Sequence, residues 1–224
     1  PPRKRFTRIL WKIQMTGSTH SKPRRRPSQA RSQDTVNCIL EATAHILRSE
    51  GFRKATTNHI AERAGVSIGS LYQYFPNKQA LLRALTEKHL SEMQQQIAVR
   101  LSDSLSMPVP EAIASMVDVM LDAHALDPAL HAVLTEHASQ ILPREEQNRL
   151  ENLYTDLVLG YLNQRSAEIC CDDLKLASFI LVHSLETLTH RAIASTDPQQ
   201  NEWISNASLR RHLIRLFTNY LSGQ

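Results

Sequence analysis

A chain of 224 residues with 42 % hydrophobic content is long enough to bury a core as one or two domains, which excludes disorder as its overall state. Its net charge of +4 conceals an asymmetry: residues 1–34 carry ten Lys/Arg against one acid, residues 35–90 seven against four, and residues 91–224 nine against seventeen. The basic first part suits a polyanion, whether DNA, RNA or an anionic membrane surface, and the acidic remainder is expected to face a different partner.

In chain order, residues 1–30 show no sustained period, and Pro23, Pro27 and the run Arg24, Arg25, Arg26 predict a flexible basic arm. Met15 is the first methionine, so residues 1–14 are read as possible upstream sequence. Arg8 and Lys12 break the apolar residues near the start, unlike the core of a signal peptide, and no stretch approaches the ~18 uninterrupted apolar residues of a membrane span. The expected compartment is the bacterial cytoplasm, on the nucleoid, without a membrane partner.

From about Ser32 the pattern turns helical, with Val36, Ile39, Leu40 and Leu47 on one face and Gly51 in the position of a C-terminal cap. A second short helix is expected to start near Thr57, whose hydroxyl is placed to accept from amides of the first turn, and to stop at Gly65. A third follows after Gly65, Val66 and Ser67, holds Leu71, Tyr72, Tyr74 and Phe75, and ends at Pro76. Asn77 caps a fourth, running toward Leu101 or Leu105. Beyond Pro108 the periodicity predicts further amphipathic segments over about 109–126, 128–141, 143–165, 172–195 and 203–221, punctuated by Pro110, Pro128, Pro143 and Pro198. No β-alternating run of useful length is present, so the fold class is all-α. The division expected is an arm over 1–30, a three-helix DNA-binding domain over 31–77 and a larger helical effector-binding and dimerisation domain over 78–224.

Thr57 to Phe75, TNHIAERAGVSIGSLYQYF, meets the packing needs of a helix-turn-helix position by position. Ala61 is small where two helices must cross, Gly65 admits the positive φ of a tight turn, and Ile60, Ala64, Val66 and Leu71 are spaced to fill the wedge. Ser67, Gly69 and Ser70 keep the start of the third helix slim and polar, which suits a major groove roughly 12 Å wide. The alternative for the same spacing is an αα-hairpin that binds no DNA.

The run from Phe52 to Leu82, with its core IAERAGVSIGSLYQYFPNKQALL, resembles the DNA-binding domain of TetR-family regulators. The resemblance makes the third helix the recognition helix, with Ser67, Ile68, Gly69, Ser70 and Gln73 as candidates for base or groove contacts. A glutamine amide pairs bidentately with adenine, so Gln73 is the best base reader, whereas Ile68 offers only apolar contact to a thymine methyl. Tyr72 and Tyr74 correspond to phosphate-touching positions, and Thr57 and Lys78 sit at helix starts where phosphate is also met. The arm of Arg24, Arg25 and Arg26 either lies along DNA or is a solvated tail.

One helix-turn-helix is too small for operator affinity, so a homodimer on a palindromic duplex is expected. In the family the last two long helices pair between subunits, which makes Leu181, Leu185 and Leu188, with Leu209, Leu213, Leu216, Phe217 and Tyr220, candidates for the seam or for the chain's own core. The intervening helices surround an effector cavity in the family. Met116, Met120, His131, Leu134, Tyr154, Leu157, His183 and Glu186 are candidates for it, with core packing as the alternative for the apolar ones. An unidentified small-molecule effector that releases a repressor from DNA is the expected mechanism; an activator or an architectural DNA binder without effector stays open.

An enzyme is the less favoured class, since the sequence has no H-E-x-x-H, no glycine-rich phosphate loop and no G-x-S-x-G. Neither a cofactor nor a metal is expected. Cys38, Cys170 and Cys171 give no zinc spacing and no even disulfide framework, and a thiol sensor on the adjacent pair ranks low.

Overall fold

The computed structural model describes residues 30–223 apart from 105, 194, 196 and 206. The basic arm expected over 1–30 lies outside the described residues but for Ala30. Among the described residues the chain is helical without a strand, and no helix is long and apolar enough to cross a membrane.

Helix α1, Ala30–Glu50, ends as its sequence requires: Gly51 takes φ +84° and its amide donates to the Ile46 carbonyl at 3.1 Å. Helix α2, Thr57–Arg63, is capped one residue earlier than expected, because the Thr56 hydroxyl accepts from the His59 amide at 3.3 Å. That leaves the Thr57 hydroxyl for another partner. Gly65 then turns the chain with φ +67°, and the Val66 amide closes the turn on the Ala61 carbonyl at 3.0 Å. Helix α3, Ile68–Tyr74, starts at Ser67, whose hydroxyl accepts from the Ser70 amide at 3.0 Å. Helix α4, Lys78–Ser104, starts at Asn77, whose side-chain oxygen accepts from the Ala80 amide at 2.8 Å.

Helices α5, Val109–His124, and α8, Arg144–Gln164, and α9, Leu174–Ile193, follow the predicted segments closely. The segment expected as one helix over 128–141 is broken at His137 into α6, Pro128–Glu136, and α7, Ala138–Ile141. The segment expected over 203–221 is also two helices, α10, Pro198–Ser205, and α11, Ser208–Ser222. Between them Ala207 sits at φ +56°, a left-handed conformation that an alanine does not advertise in sequence.

The described residues form two compact units. One joins residues 30–91 to residues 129–143, so that Leu130, Leu134, Ile141 and Leu142 share a core with Ile39, Ile46, Leu47, Ile60, Leu71, Leu81 and Leu82. The other joins residues 92–128 to 144–223, and its core runs through Ile113, Val117, Leu162, Leu181, Leu213, Phe217 and Leu221. There α8 packs along α9, and α5 packs on both α9 and α11. The α5 to α11 contact is reinforced by a bidentate pair: Arg210 Nη2 donates to Asp118 Oδ2 at 2.7 Å, and Arg210 Nε donates to Asp118 Oδ1.

A Cβ built on Gly65 meets nothing within 4 Å, so the only penalty of a side chain there is its left-handed backbone. Gly65→Ala is therefore expected to destabilise the protein by about 1–2 kcal/mol in urea denaturation. Gly69 has ordinary helical backbone and its Cβ meets only Ser67 Oγ at 3.8 Å. Gly69→Ala is expected to leave stability unchanged or raise it by up to about 1 kcal/mol in the same measurement.

Candidate nucleic-acid interface

The two faces of α3 are sorted by the turn at Gly65. Leu71 and Phe75 are buried in the core of their unit, whereas Ser67, Ile68, Gly69, Tyr72 and Gln73 are exposed and Ser70 is half-buried. Ile68 and Tyr72 are 39 % and 44 % exposed. The Ser67 and Ser70 hydroxyls bond each other at 2.8 Å, which holds the N-terminal rim of α3 in one arrangement.

The phosphate candidates are placed unequally. Tyr72 OH lies 3.2 Å from Thr57 Oγ1, so α2 and α3 offer two hydroxyls side by side at the surface. Tyr74 is different: its ring is half-buried against the core and its hydroxyl bonds Ser32 Oγ at 3.1 Å, tying α3 to the start of α1. Lys78 is also engaged, since its ammonium donates to the Phe52 carbonyl at 2.9 Å and lies 4.4 Å from the centre of the Phe52 ring. Burial holds its pKa below the usual lysine value. On the other side Phe52 stacks on His137 with ring centres 3.8 Å apart, and the Gln79 amide donates to the Gln140 carbonyl. Sequence reasoning read Lys78 as a phosphate contact and missed the roles of Ser32, Thr56 and His137. The pattern Ser/Thr before a helix start was the available signal for Thr56; nothing local pointed to the other two.

The expected effector-pocket residues are divided between the units. Met116, Met120 and Tyr154 are partly buried against the second unit's core, and Leu157 is fully part of it. His183 is half-buried beside Phe179, with ring centres 4.3 Å apart. Glu186 acts electrostatically on Tyr154: burial pushes the Tyr154 phenol well up, the Glu186 charge pushes it further, and a hydrogen bond with the buried Gln94 side chain opposes both. His131 and Leu134 do not join this group. They are buried in the unit of the helix-turn-helix, where His131 Nδ1 lies 2.9 Å from His89 Nε2.

The seam candidates divide as well. Leu181, Leu185, Leu213 and Phe217 are buried in the chain's own core and Leu209 packs on it, so these are spent within the chain. Leu188, Leu216 and Tyr220 are exposed, and so are Leu176 and Phe179 on α9, which sequence reasoning passed over. Their spacing at i and i+3, continued by Ile180 and His183, was the signal that pointed to a second face of that helix.

Residues 39–85 match the family described as bacterial regulatory proteins, tetR family, and residues 108–221 match the tetracyclin repressor-like C-terminal domain. Among curated proteins, the nucleoid occlusion factor SlmA of Pasteurella multocida (strain Pm70) is 28 % identical over 145 residues, covering 63 % of this chain and 69 % of that one. The SlmA of Haemophilus influenzae (strain PittGG) is 29 % identical over 126 residues, and the match spans just over half of that protein, 57 %. A solved TetR-family transcriptional regulator from Streptomyces coelicolor superposes with a TM-score of 0.55 at 25 % identity, over 84 % of this chain and 99 % of that one. With its first part matching the family's DNA-binding region and half of its length matching the family's C-terminal domain, the chain belongs to the tetR family of bacterial DNA-binding transcriptional regulators.

Proposed function

We propose that this chain is a homodimeric repressor that reads a palindromic operator with α3 and is released from it by a small-molecule effector bound in the helical second unit. It works on the nucleoid in the bacterial cytoplasm and carries no enzymatic activity. The observation that carries the DNA reading is Gly69. It is exposed, with ordinary helical backbone and room for a Cβ, which would meet only Ser67 Oγ at 3.8 Å, so the fold does not require a glycine there. What it gives is a slim helix surface between the exposed Ile68, Tyr72 and Gln73, which is what close approach to base edges needs.

In this reading Gln73 reads a base edge, Ser67, Ile68 and Ser70 line the groove, and the paired hydroxyls of Thr57 and Tyr72 hold a phosphate. Tyr74 and Lys78 position the helices instead, because their polar ends are engaged within the unit. The exposed face of α9 and α11, through Leu176, Phe179, Leu188, Leu216 and Tyr220, supplies the subunit contact. The effector lies near Met116, Met120, Tyr154, Leu157 and Glu186 and acts by preferring the conformation in which the two recognition helices no longer match the operator spacing. Chain connectivity supports such coupling: residues 129–143 belong to the helix-turn-helix unit and are flanked directly by α5 and α8, which carry four of those five residues.

The similarity to SlmA favours a second reading, a DNA-bound protein whose task is not effector-controlled transcription. Titration against its own upstream intergenic DNA and a scrambled duplex at physiological salt separates the two. The repressor reading expects a palindromic footprint and at least about a thousandfold preference over the scramble, abolished by some effector in a metabolite screen. Many dispersed sites with no response to any effector favour the second reading, and equal salt-sensitive binding to both duplexes overturns the sequence-specific one.

Two sets of substitutions test the parts. Gln73→Ala is expected to lose about 1–3 kcal/mol of discrimination at one base pair in each half-site while binding to the scramble is unchanged. Gly69→Ala is expected to weaken operator binding without loss of fold. Phe179→Glu combined with Leu216→Glu is expected to give a monomer in analytical ultracentrifugation with chain stability within about 0.5 kcal/mol of the parent, as for surface changes. A dimer that persists in this variant overturns the assignment of the face.

A further inference from the structure

The proposed function makes no use of the basic run Arg24, Arg25, Arg26. The run lies outside the described residues, and what the structure fixes is the place where it joins the fold. Helix α1 begins at Ala30, and in its first turn the Ser32 hydroxyl lies 3.1 Å from the Tyr74 hydroxyl, with both residues half-buried. Tyr74 is the last residue of α3 and the neighbour of the exposed Gln73. Since α3 has only seven residues, about 10 Å of helix at about 1.5 Å per residue, every part of its exposed face lies near this junction. The chain therefore enters the fold beside the helix that carries Ile68, Gly69, Tyr72 and Gln73 at the surface.

Reach and charge narrow what the run can meet there. A chain spans at most ~3.3–3.6 Å per residue, so Arg26, four residues before Ala30, is tethered within about 13–14 Å of it, and Arg24, six residues before, within about 20–22 Å. With α3 in a major groove, the centre of the flanking minor groove lies half a helical turn away, roughly 17 Å along the axis. The tether thus matches the distance between the grooves. Only Pro27, Ser28 and Gln29 separate the run from α1, and Lys22 precedes it, so residues 22–29 hold four cations and no acid. A narrow minor groove concentrates negative potential and attracts inserted arginine, whose weakly hydrated guanidinium loses little on leaving bulk water.

We propose that Arg24, Arg25 and Arg26 enter the minor groove flanking each half-site, so that each subunit holds the duplex from two grooves at once. Charge alone suits any polyanion; the junction of Ser32 with Tyr74 ties the run to the DNA-facing helix and selects DNA. This inference rests on the reading of α3 as the recognition helix.

The test compares the full-length protein with the triple variant Arg24→Ala, Arg25→Ala, Arg26→Ala, checked for fold by circular dichroism, on the same upstream intergenic DNA. Binding is titrated over a range of salt, and contacts are mapped by hydroxyl-radical footprinting, which reads the minor-groove side of the sugars. Loss of three bound cations is expected to make the dependence of log affinity on log salt shallower by about 2–3 and to weaken binding at low salt by about tenfold or more. In the parent, protection is expected to extend from each half-site into the flanking minor groove; in the variant it stops at the half-site. Weaker binding with the flanking protection retained overturns the minor-groove assignment. Unchanged affinity, salt slope and footprint overturn this inference alone and leave the run to another polyanion, whereas a parent that leaves no footprint overturns the reading of α3 and this inference with it.

Discussion

The rest of the DNA-facing geometry depends on the single left-handed residue between α2 and α3. With Gly65 at φ +67° and the Val66 amide returned to the Ala61 carbonyl, α3 leaves the turn in a direction that drives Leu71 and Phe75 into the core. A helix so oriented has no choice about its other face. Gly69 and Gln73 must be outside, because helical periodicity puts them opposite Leu71 and Phe75, and Ser67, Ile68 and Tyr72 are exposed beside them. Ala61 is buried at the crossing, and a larger side chain there would part the two helices and tilt that outer face. The orientation of the exposed face of α3 is in this sense set at two small residues, Ala61 and Gly65.

What was legible in the sequence follows from how local each determinant is. The turn at Gly65, the start of α3 after Ser67, the stop before Pro76 and the cap at Asn77 are decided within four residues, and the structure has each of them. The family resemblance added the assignment of α3 as recognition helix. Where a side chain's partner is remote in sequence, the reading ran out: Ser32 and Tyr74 are 42 residues apart, and Lys78 and Phe52 are 26 apart. Lysine at a helix start reads as a phosphate contact, and the Phe52 carbonyl that Lys78 meets lies too far back in the chain to be read beside it. The break at Ala207 was invisible for another reason, since positive φ at alanine is imposed by packing and carries no residue signature.

The same limit explains the pocket and seam. Leucines at helical spacing on α9 and α11 face inward and outward with identical composition, so sequence alone could not separate Leu181 and Leu185 from Leu188, or Leu213 from Leu216. Burial separates them: four of the expected seam residues lie at 3 % exposure or less in the chain's own core, whereas Leu216, Leu176 and Phe179 are each more than half exposed. An apolar side chain left half in water forgoes on the order of 1 kcal/mol of burial, and a run of them along two neighbouring helices is costly for a monomer to keep. His131 and Leu134 show the converse case. They sit in a stretch read as part of the regulatory domain, yet they belong to the unit that holds α2 and α3.

That membership constrains how the two units communicate. Among the described residues the chain passes between them three times, within α4 and at both ends of the 129–143 stretch. Within the helix-turn-helix unit this stretch is fastened by Leu130, Leu134, Ile141 and Leu142 in the core and by the stack of His137 on Phe52, whose carbonyl also holds Lys78 at the start of α4. A displacement of residues 129–143 therefore acts on the end of α1 and the start of α4 together, the two elements that frame α2 and α3. Because packed cores move between discrete arrangements and do not stretch, such a displacement reorients α2 and α3 as a body. In the proposed dimer, where two copies of α3 have to match a fixed operator spacing, a unit that moves as one body is an arrangement in which a small shift has a large effect on affinity.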